Sequence, residues 1–392
     1  MESWLPSLIA ILAFVHVGAR YWLWVGAKKA WKDEQNRSTR FSQKQRQQLP
    51  PLSVVIAARN EEANLAQHLP SILQQLYPEF EIVIALDRCS DESEQVLTTF
   101  AEYYPNLRWF VIDETPTGWA PKKWALSQAI ATAKYPSLVC TDADCSVESN
   151  WLIQHGLAFG TGNQLVVGLG MYTQYPGMLN RFIRYETAYT ALQYVGAAGQ
   201  GKAYMGVGRN MGYHRSLYDE AGGFTHFRTQ LSGDDDLLVN HSKSASQCAV
   251  IISVGSRTWS EPKRTIRSWM RQKGRHFSAS ARYTAKSKIV LTAFHASQIG
   301  LYGLLALFLL AGGQILTGVG LYLGYLLGSW YIFSLFAIRI GQADLIKAFP
   351  ILDFLYACYH SLIAPLGLLA QPSWQKNQNP KYQKTPSRTV SS

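Results

Sequence analysis

Thr141-Asp142-Ala143-Asp144 closes the apolar run that starts at Ser137 and carries two carboxylates one residue apart. In an extended segment, side chains two apart leave the same face, so both can point at one divalent cation. Carboxylate oxygens are hard ligands suited to Mg2+ or Mn2+, and a diphosphate can fill the remaining positions. A second acidic station is Leu231-Ser232-Gly233-Asp234-Asp235-Asp236-Leu237-Leu238. Three adjacent carboxylates repel one another unless a cation, a helix N-terminus or proton uptake relieves them, whereas a plain helix cap needs only one. The segment therefore reads as the seat of a general base that takes a proton from an acceptor hydroxyl. A third station, Leu86-Asp87-Arg88-Cys89-Ser90-Asp91, ends another apolar run. A carboxylate there can hydrogen-bond a ribose or base; alternatively, Asp87 and Asp91 only cap the next helix.

The elements that must position these stations are legible as periodicity. Leu52 to Ala57, Phe80 to Leu86, Arg108 to Ile112 and Ser137 to Thr141 read as strands. Between them, Leu65, Leu69, Ile72 and Leu76 fall at helical spacing, and Lys122 to Ala133 reads as a helix. Alternation of this kind predicts an α/β domain with a mostly parallel sheet flanked by helices, which binds ligands at the carboxyl ends of its strands. Gly206-Val207-Gly208-Arg209-Asn210-Met211-Gly212 has the spacing of a dinucleotide loop but lies far from the first strand and helix, which argues against a nicotinamide site. Gly222-Gly223-Phe224 predicts a tight turn at which a ligand can approach the backbone.

The ends of the chain have a different character. Hydrophobic residues make up 47% and charged residues 16%, too little charge for a wholly soluble surface of this size. Residues 1–27 read as a transmembrane anchor with Arg20 its only basic charge; Glu2 and the lack of a small-residue cleavage site argue against a signal peptide. Residues 28–50 read as a basic linker, 51–260 as the catalytic domain, 289–370 as about three further spans and 371–392 as a basic tail. Of the three C-terminal stretches, Ile289 to Ala311, Ile315 to Ile338 and Phe349 to Ala370, the last is the weakest because it holds Asp353, His360 and Pro365. Three C-terminal crossings after one at the N-terminus would also put the basic tail outside, against the positive-inside rule. Residues 261–288 predict an interfacial helix, with Ile266, Trp269, Met270 and Phe277 on one side and arginines around them. Lys and Arg number 37 against 26 Asp and Glu, and their clustering beside apolar runs fits a cytoplasmic leaflet better than a nucleic-acid groove. The five cysteines lack zinc spacing and read as reduced.

Taken in order, VVIAARNEE, LDRCSDES, KKWAL, TDADC, GRNMGYHRSLYDEAGGF, SGDDDLL and SWMRQKGRHF resemble the successive blocks of family 2 inverting glycosyltransferases over roughly residues 52–280. The resemblance implies a GT-A fold, a nucleoside diphosphate leaving group on Mg2+ or Mn2+, and direct displacement with inversion. It places Ala57, Glu61, Asp87, Lys123 and Asp142 at the nucleotide, Asp144 on the metal, and Asp235 as the base with Asp234 in reserve. Gly222, Gly223, Phe224, Gln272, Arg275 and His276 then face the acceptor or the diphosphate. His276 stands where the family's Gln-x-x-Arg-Trp block has tryptophan, and imidazole is a poor stacking platform for a growing sugar chain. The expected enzyme is therefore integral to the cell (inner) membrane with a cytoplasmic catalytic domain. It uses a nucleotide-sugar donor, with a UDP-sugar foremost, and a lipid-linked or short saccharide acceptor. A processive polysaccharide synthase and a noncatalytic membrane scaffold are the alternatives.

Overall fold

The computed structural model describes residues 4–242 and 246–369. Residues 1–3 of the expected anchor and the expected tail at 371–392 lie outside the described residues. The chain opens with α1 (Trp4–Arg40) and a short turn, α2 (Gln43–Arg46). Next come β1 (Leu52–Ala58), α3 (Glu62–Leu73), β2 (Phe80–Asp87), α4 (Ser93–Ala101), β3 (Leu107–Ile112), α5 (Pro121–Thr132) and β4 (Ser137–Cys140). The second half of the domain holds β5 (Cys145–Val147), α6 (Trp151–Gly160), β6 (Leu165–Gly168), β7 (Gly170–Tyr172), α7 (Met178–Gly199), β8 (Met211–His214) and α8 (Arg215–Glu220). It closes with α9 (Asp236–His241), β9 (Cys248–Ile251) and β10 (Thr258–Ser260), followed by α10 (Ile266–Ser280), α11 (Ala285–Leu310), α12 (Ile315–Arg339) and α13 (Phe349–Leu369).

Seven strands form the main sheet in the order β3-β2-β1-β4-β8-β6-β9, and β5-β10-β7 form a small second sheet. β1 pairs in parallel with β2 and β4, and β8 alone runs antiparallel to its neighbours in the large sheet. Val54, Val55 and Ile56 of β1 are covered on both faces, at 1% exposure or less. Full burial of such side chains stabilises by about 1.5–3 kcal/mol each, which is why this unbroken β-branched run sits at the sheet's centre. The carboxyl ends of β2, β1 and β4 consequently share one edge.

Residues 28–50 are not a loose linker. α1 continues through Arg40 because its last turns are docked on β9: Glu34 accepts from the Ile252 and Ser253 amides at 2.8 and 2.9 Å, and Arg37 donates to the Val250 carbonyl. α1 also crosses α7 at van der Waals contact of the backbones. A Cβ on Gly26 would lie 2.0 Å from the Gly196 carbonyl oxygen, so only glycine fits.

Among the described residues, α1, α11 and α12 are long and apolar enough to cross a membrane. α13, expected as a third C-terminal span, carries Asp353, which is fully buried. Arg20 donates to Asp353 and to Tyr189, both at 2.6 Å, while Tyr185, Gln298, Tyr302 and Tyr325 complete the shell of the carboxylate. Arg20 thus turns inward and does not reach for the headgroups. Hydrogen bonds of this kind offset the cost of burying the carboxylate, and here one ion pair ties five helices together.

Candidate active site

Lys122 lies in the first turn of α5, which starts at Pro121 and points its N-terminus at the end of β4. Its ammonium is 2.8 Å from Asp142 Oδ1 and 2.9 Å from Asp234 Oδ2, joining acidic stations about ninety residues apart. Although burial pulls the other way, Asp142 and Asp234 hold the Lys122 ammonium well above its ordinary pKa. Asp234 is correspondingly kept below the usual carboxylate range despite its burial, with Lys122 the main cause.

Asp235 is treated differently. It is the N-cap of α9, with one carboxylate oxygen taking the Asp236 amide at 2.8 Å and the other the Gly208 amide at 2.6 Å. Among the described residues no cation pairs with it, and burial together with the charge of Asp234 raises its pKa. A carboxylate held in place by two amides but raised in basicity suits proton abstraction. Asp236, raised by burial and then Asp235 to about 8, accepts from Tyr283 at 2.7 Å.

Asp142, Asp144 and Cys145 bring one ligand atom each within 4.8 Å of one another. The Cys145 thiol is buried and donates to Asp144 at 3.5 Å, leaving two carboxylates as the accessible donor set, which fits a hard divalent cation. Glu61 is raised by burial and, after that, by Asp144 and Asp142, which marks it as a neighbour of the same group. Asp87 lies one strand further along the edge, clamped by Arg88 at 2.8 and 3.1 Å with Arg59 at 3.7 Å. Asp91, one residue ahead of the N-cap Glu92, takes the Ser93 amide at 3.2 Å at the start of α4.

A cavity of about 590 Å3 starts at Lys122, Asp142, Asp144 and the Asp234–Asp236 run, and passes between α7 and α10. It ends against Thr292, His295 and Ile299 of α11 and Tyr356 and His360 of α13. Gln272 and His276 line it, with Gln272 donating to Tyr172 at 3.3 Å. Burial in the wall and the cations Lys273, Arg275 and Arg209 lower the His276 pKa, so the imidazole is neutral. Within the wall, Glu186 and Lys273 pair at 2.5 Å.

Several expected positions sit elsewhere. Lys123, one residue from Lys122 and so about 100° round the helix, points into the protein and donates to the carbonyls of Phe227, Gln230 and Ser232. It holds the loop ahead of Asp234 and does not line the cavity. Arg275 does not line the cavity; Arg209 does, with its guanidinium over Tyr172 and bonded to Ser260. The Gly222-Gly223 turn is real, with φ of 69° and 60°, but it seats Phe224 against Tyr218 and away from the cavity. In the glycine-rich segment, Asn210 is wholly buried, accepting from Trp151 and His155 and donating to the Leu169 and Ser256 carbonyls. Of the three acidic stations, two line the cavity, while Asp87 shares their sheet edge without lining it.

A parallel sheet whose carboxyl edge carries an Asp-x-Asp beside a second carboxylate loop, set on membrane-length helices, is the architecture of a membrane-associated GT-A glycosyltransferase. The description "Glycosyl transferase family 21" matches residues 9–364, and the chain belongs to that family. It is 26% identical over 238 residues to the "Probable glycosyltransferase YdaM" of Bacillus subtilis (strain 168), covering 58% of this chain and 54% of the relative. It is 28% identical over 119 residues to a β-monoglucosyldiacylglycerol synthase of Trichormus variabilis, covering 30% of this chain and 25% of that protein. The matched stretches thus span about half of the first relative and a quarter of the second. In fold, the chain is similar to the mannosyltransferase PcManGT from Pyrobaculum calidifontis in complex with GDP-Man and Mn2+. That match has a TM-score of 0.53 and 19% identity, over 89% of this chain and 99% of the other.

Proposed function

We propose that this glycosyltransferase moves a sugar from a nucleotide-diphosphate sugar, with a UDP-sugar as expected donor, onto a lipid-linked or short acceptor with inversion. The observation that carries the reading is the Lys122 bridge between Asp142 and Asp234 at the head of a cavity that runs on to α11 and α13. In this reading Ala57, Glu61 and Asp87 hold the nucleoside along the β1 and β2 edge. Asp144 with Asp142 would hold a Mg2+ or Mn2+ ion. When bound, that ion offsets the charge of the departing diphosphate. Lys122 supports the same charge from the other side. The acceptor oxygen attacks the anomeric carbon as the bond to the diphosphate breaks, and its proton passes to Asp235. Asp234 is the weaker candidate for that proton because Lys122 keeps it ionised.

The run of the cavity between α7, α10, α11 and α13 supports an acceptor that enters from the bilayer. A glycolipid product is what the name of the Trichormus variabilis relative states for that protein. His276, neutral and small beside an indole, supports single addition over processive synthesis. With α1, α11 and α12 as the crossings, the chain after α12 returns to the catalytic side, where a basic tail belongs. Arg257 bonded to the Arg339 carbonyl at the end of α12 agrees with that return. We take residues 51–260 as the catalytic domain, cytoplasmic at the inner membrane, and 261–288 as its interfacial helix.

Purified, detergent-solubilised protein incubated with UDP- and GDP-sugars and a total lipid extract, read by mass spectrometry, tests this reading. A lipid heavier by one sugar is expected. A polymer ladder would favour the processive alternative, and no transfer or donor hydrolysis under any combination would favour a scaffold.

A further inference from the structure

The base opens a helix of only six residues, α9, too short to hold its own position. Leu237, Leu238 and Val239 are all buried and anchor it in the domain core over more than half of its circumference. Its remaining side is fastened to the joint between α10 and α11. Tyr283 donates to Asp236 at 2.7 Å, and Asn240 takes the Thr284 amide at 2.7 Å while donating to Ser287 at 3.0 Å. Asp236 and Asn240 are four apart, on the same face of α9. Ser287 already belongs to the first turn of α11, which is one of the membrane-length helices.

The rotation of α9 about its axis, and with it the direction of the carboxylate at its N-cap, is thus held jointly by the domain core and by a segment that runs into a membrane-length helix. We propose that Tyr283 is a positioning residue for the base: its hydroxyl, through Asp236, makes the catalytic setting of Asp235 depend on the seating of α10 and α11. A displacement of about 1 Å in a reacting group costs about a hundredfold in rate, so a lost tether at this joint has a large lever. The inference rests on the reading of Asp235 as the base.

The test uses the full-length protein in lipid nanodiscs with a donor and acceptor it turns over. Tyr283→Phe should lower kcat by about tenfold or more. The donor KM and the affinity for nucleoside diphosphate with Mn2+ should stay within about twofold. The melting temperature should fall by no more than about 6 °C, because the exchange leaves one acceptor of Asp236 unpaired. Asn240→Ala, which cuts the second tether, should reproduce this split. An unchanged kcat in both variants overturns the proposal. So does a loss shared equally between kcat, donor KM and melting temperature, which is what a general packing defect produces. Asp235→Asn is run beside them: if it stays active, the base assignment fails, whereas an inactive Asp235→Asn with an unimpaired Tyr283→Phe removes the tether alone.

Discussion

Exchanging Lys122 for methionine separates what its ammonium does for folding from what it does for chemistry. The substitution keeps the length of the stem and removes the charge. Lys122 bonds two carboxylates at 2.8 and 2.9 Å; its side chain is 38% exposed and that of Asp142 31%, so that pair is screened, whereas Asp234 is only 10% exposed. The screened pair contributes about 0.2–1 kcal/mol and the hydrogen bond to the buried Asp234 carboxylate about 1.5–3 kcal/mol, so their loss should cost about 2–4 kcal/mol of stability. In the proposed reaction, donor binding displaces water from that face and the same cation meets the charge that develops on the diphosphate. Removing one such electrostatic partner costs about 3–4 kcal/mol, or about 10²–10³ in rate. Lys123→Met should behave in the opposite way. Its ammonium is 1% exposed and serves three carbonyls at 3.1, 2.8 and 2.6 Å, so its removal leaves buried acceptors unpaired. Each such group costs about 1–3 kcal/mol, so the loss should appear in the melting temperature before it appears in turnover. The assay is nucleoside diphosphate release for kcat/KM, paired with thermal unfolding in the same detergent. A Lys122→Met enzyme within threefold of wild type, or a Lys123→Met protein as stable as wild type, would refute the reasoning.

Two further outcomes follow from the same geometry. Asp144→Ala should remove the dependence of nucleoside diphosphate binding on Mn2+; calorimetry that finds the same gain in affinity on adding Mn2+ in variant and wild type would remove Asp144 from the metal site. Asp236 titrates at about 8 in the folded protein, well above an unfolded carboxyl at about 3.9. The folded state binds that proton more tightly, so the contribution is full below about pH 4 and is lost as pH rises through about 8. Asp236→Asn should therefore flatten the fall in melting temperature across that window, and a slope equal to wild type would contradict the assignment.

The parts of the fold that are local were legible in the sequence. β1, β2 and β4 are apolar runs that end in charged or turn-forming residues, so their presence, their parallel pairing and the carboxyl edge bearing Asp142 and Asp144 could be read directly. What depends on a distant partner could not. Lys122 and Lys123 are neighbours of one type, and only the rotation of α5 against the loop at 227–232 decides which faces the cleft. The continuation of α1 to Arg40 depends on amides of Ile252 and Ser253, more than two hundred residues away. Asp353 reads as a flaw in a transmembrane stretch until Arg20 is seen to meet it. Arg209 was hidden inside a glycine-rich segment, although a lone arginine there, next to the buried Asn210, was a signal that the segment serves the site.

The proposed mechanism requires Asp235 to meet the acceptor proton at the same cavity where Asp142 and Asp144 would meet the donor. The direct measurement is sugar transfer by Asp235→Asn, made alongside Mn2+-dependent nucleoside diphosphate binding on the same preparation. Transfer at background with binding intact is the predicted result. A variant that still transfers sugar at a rate near wild type would show that the proton leaves by another route.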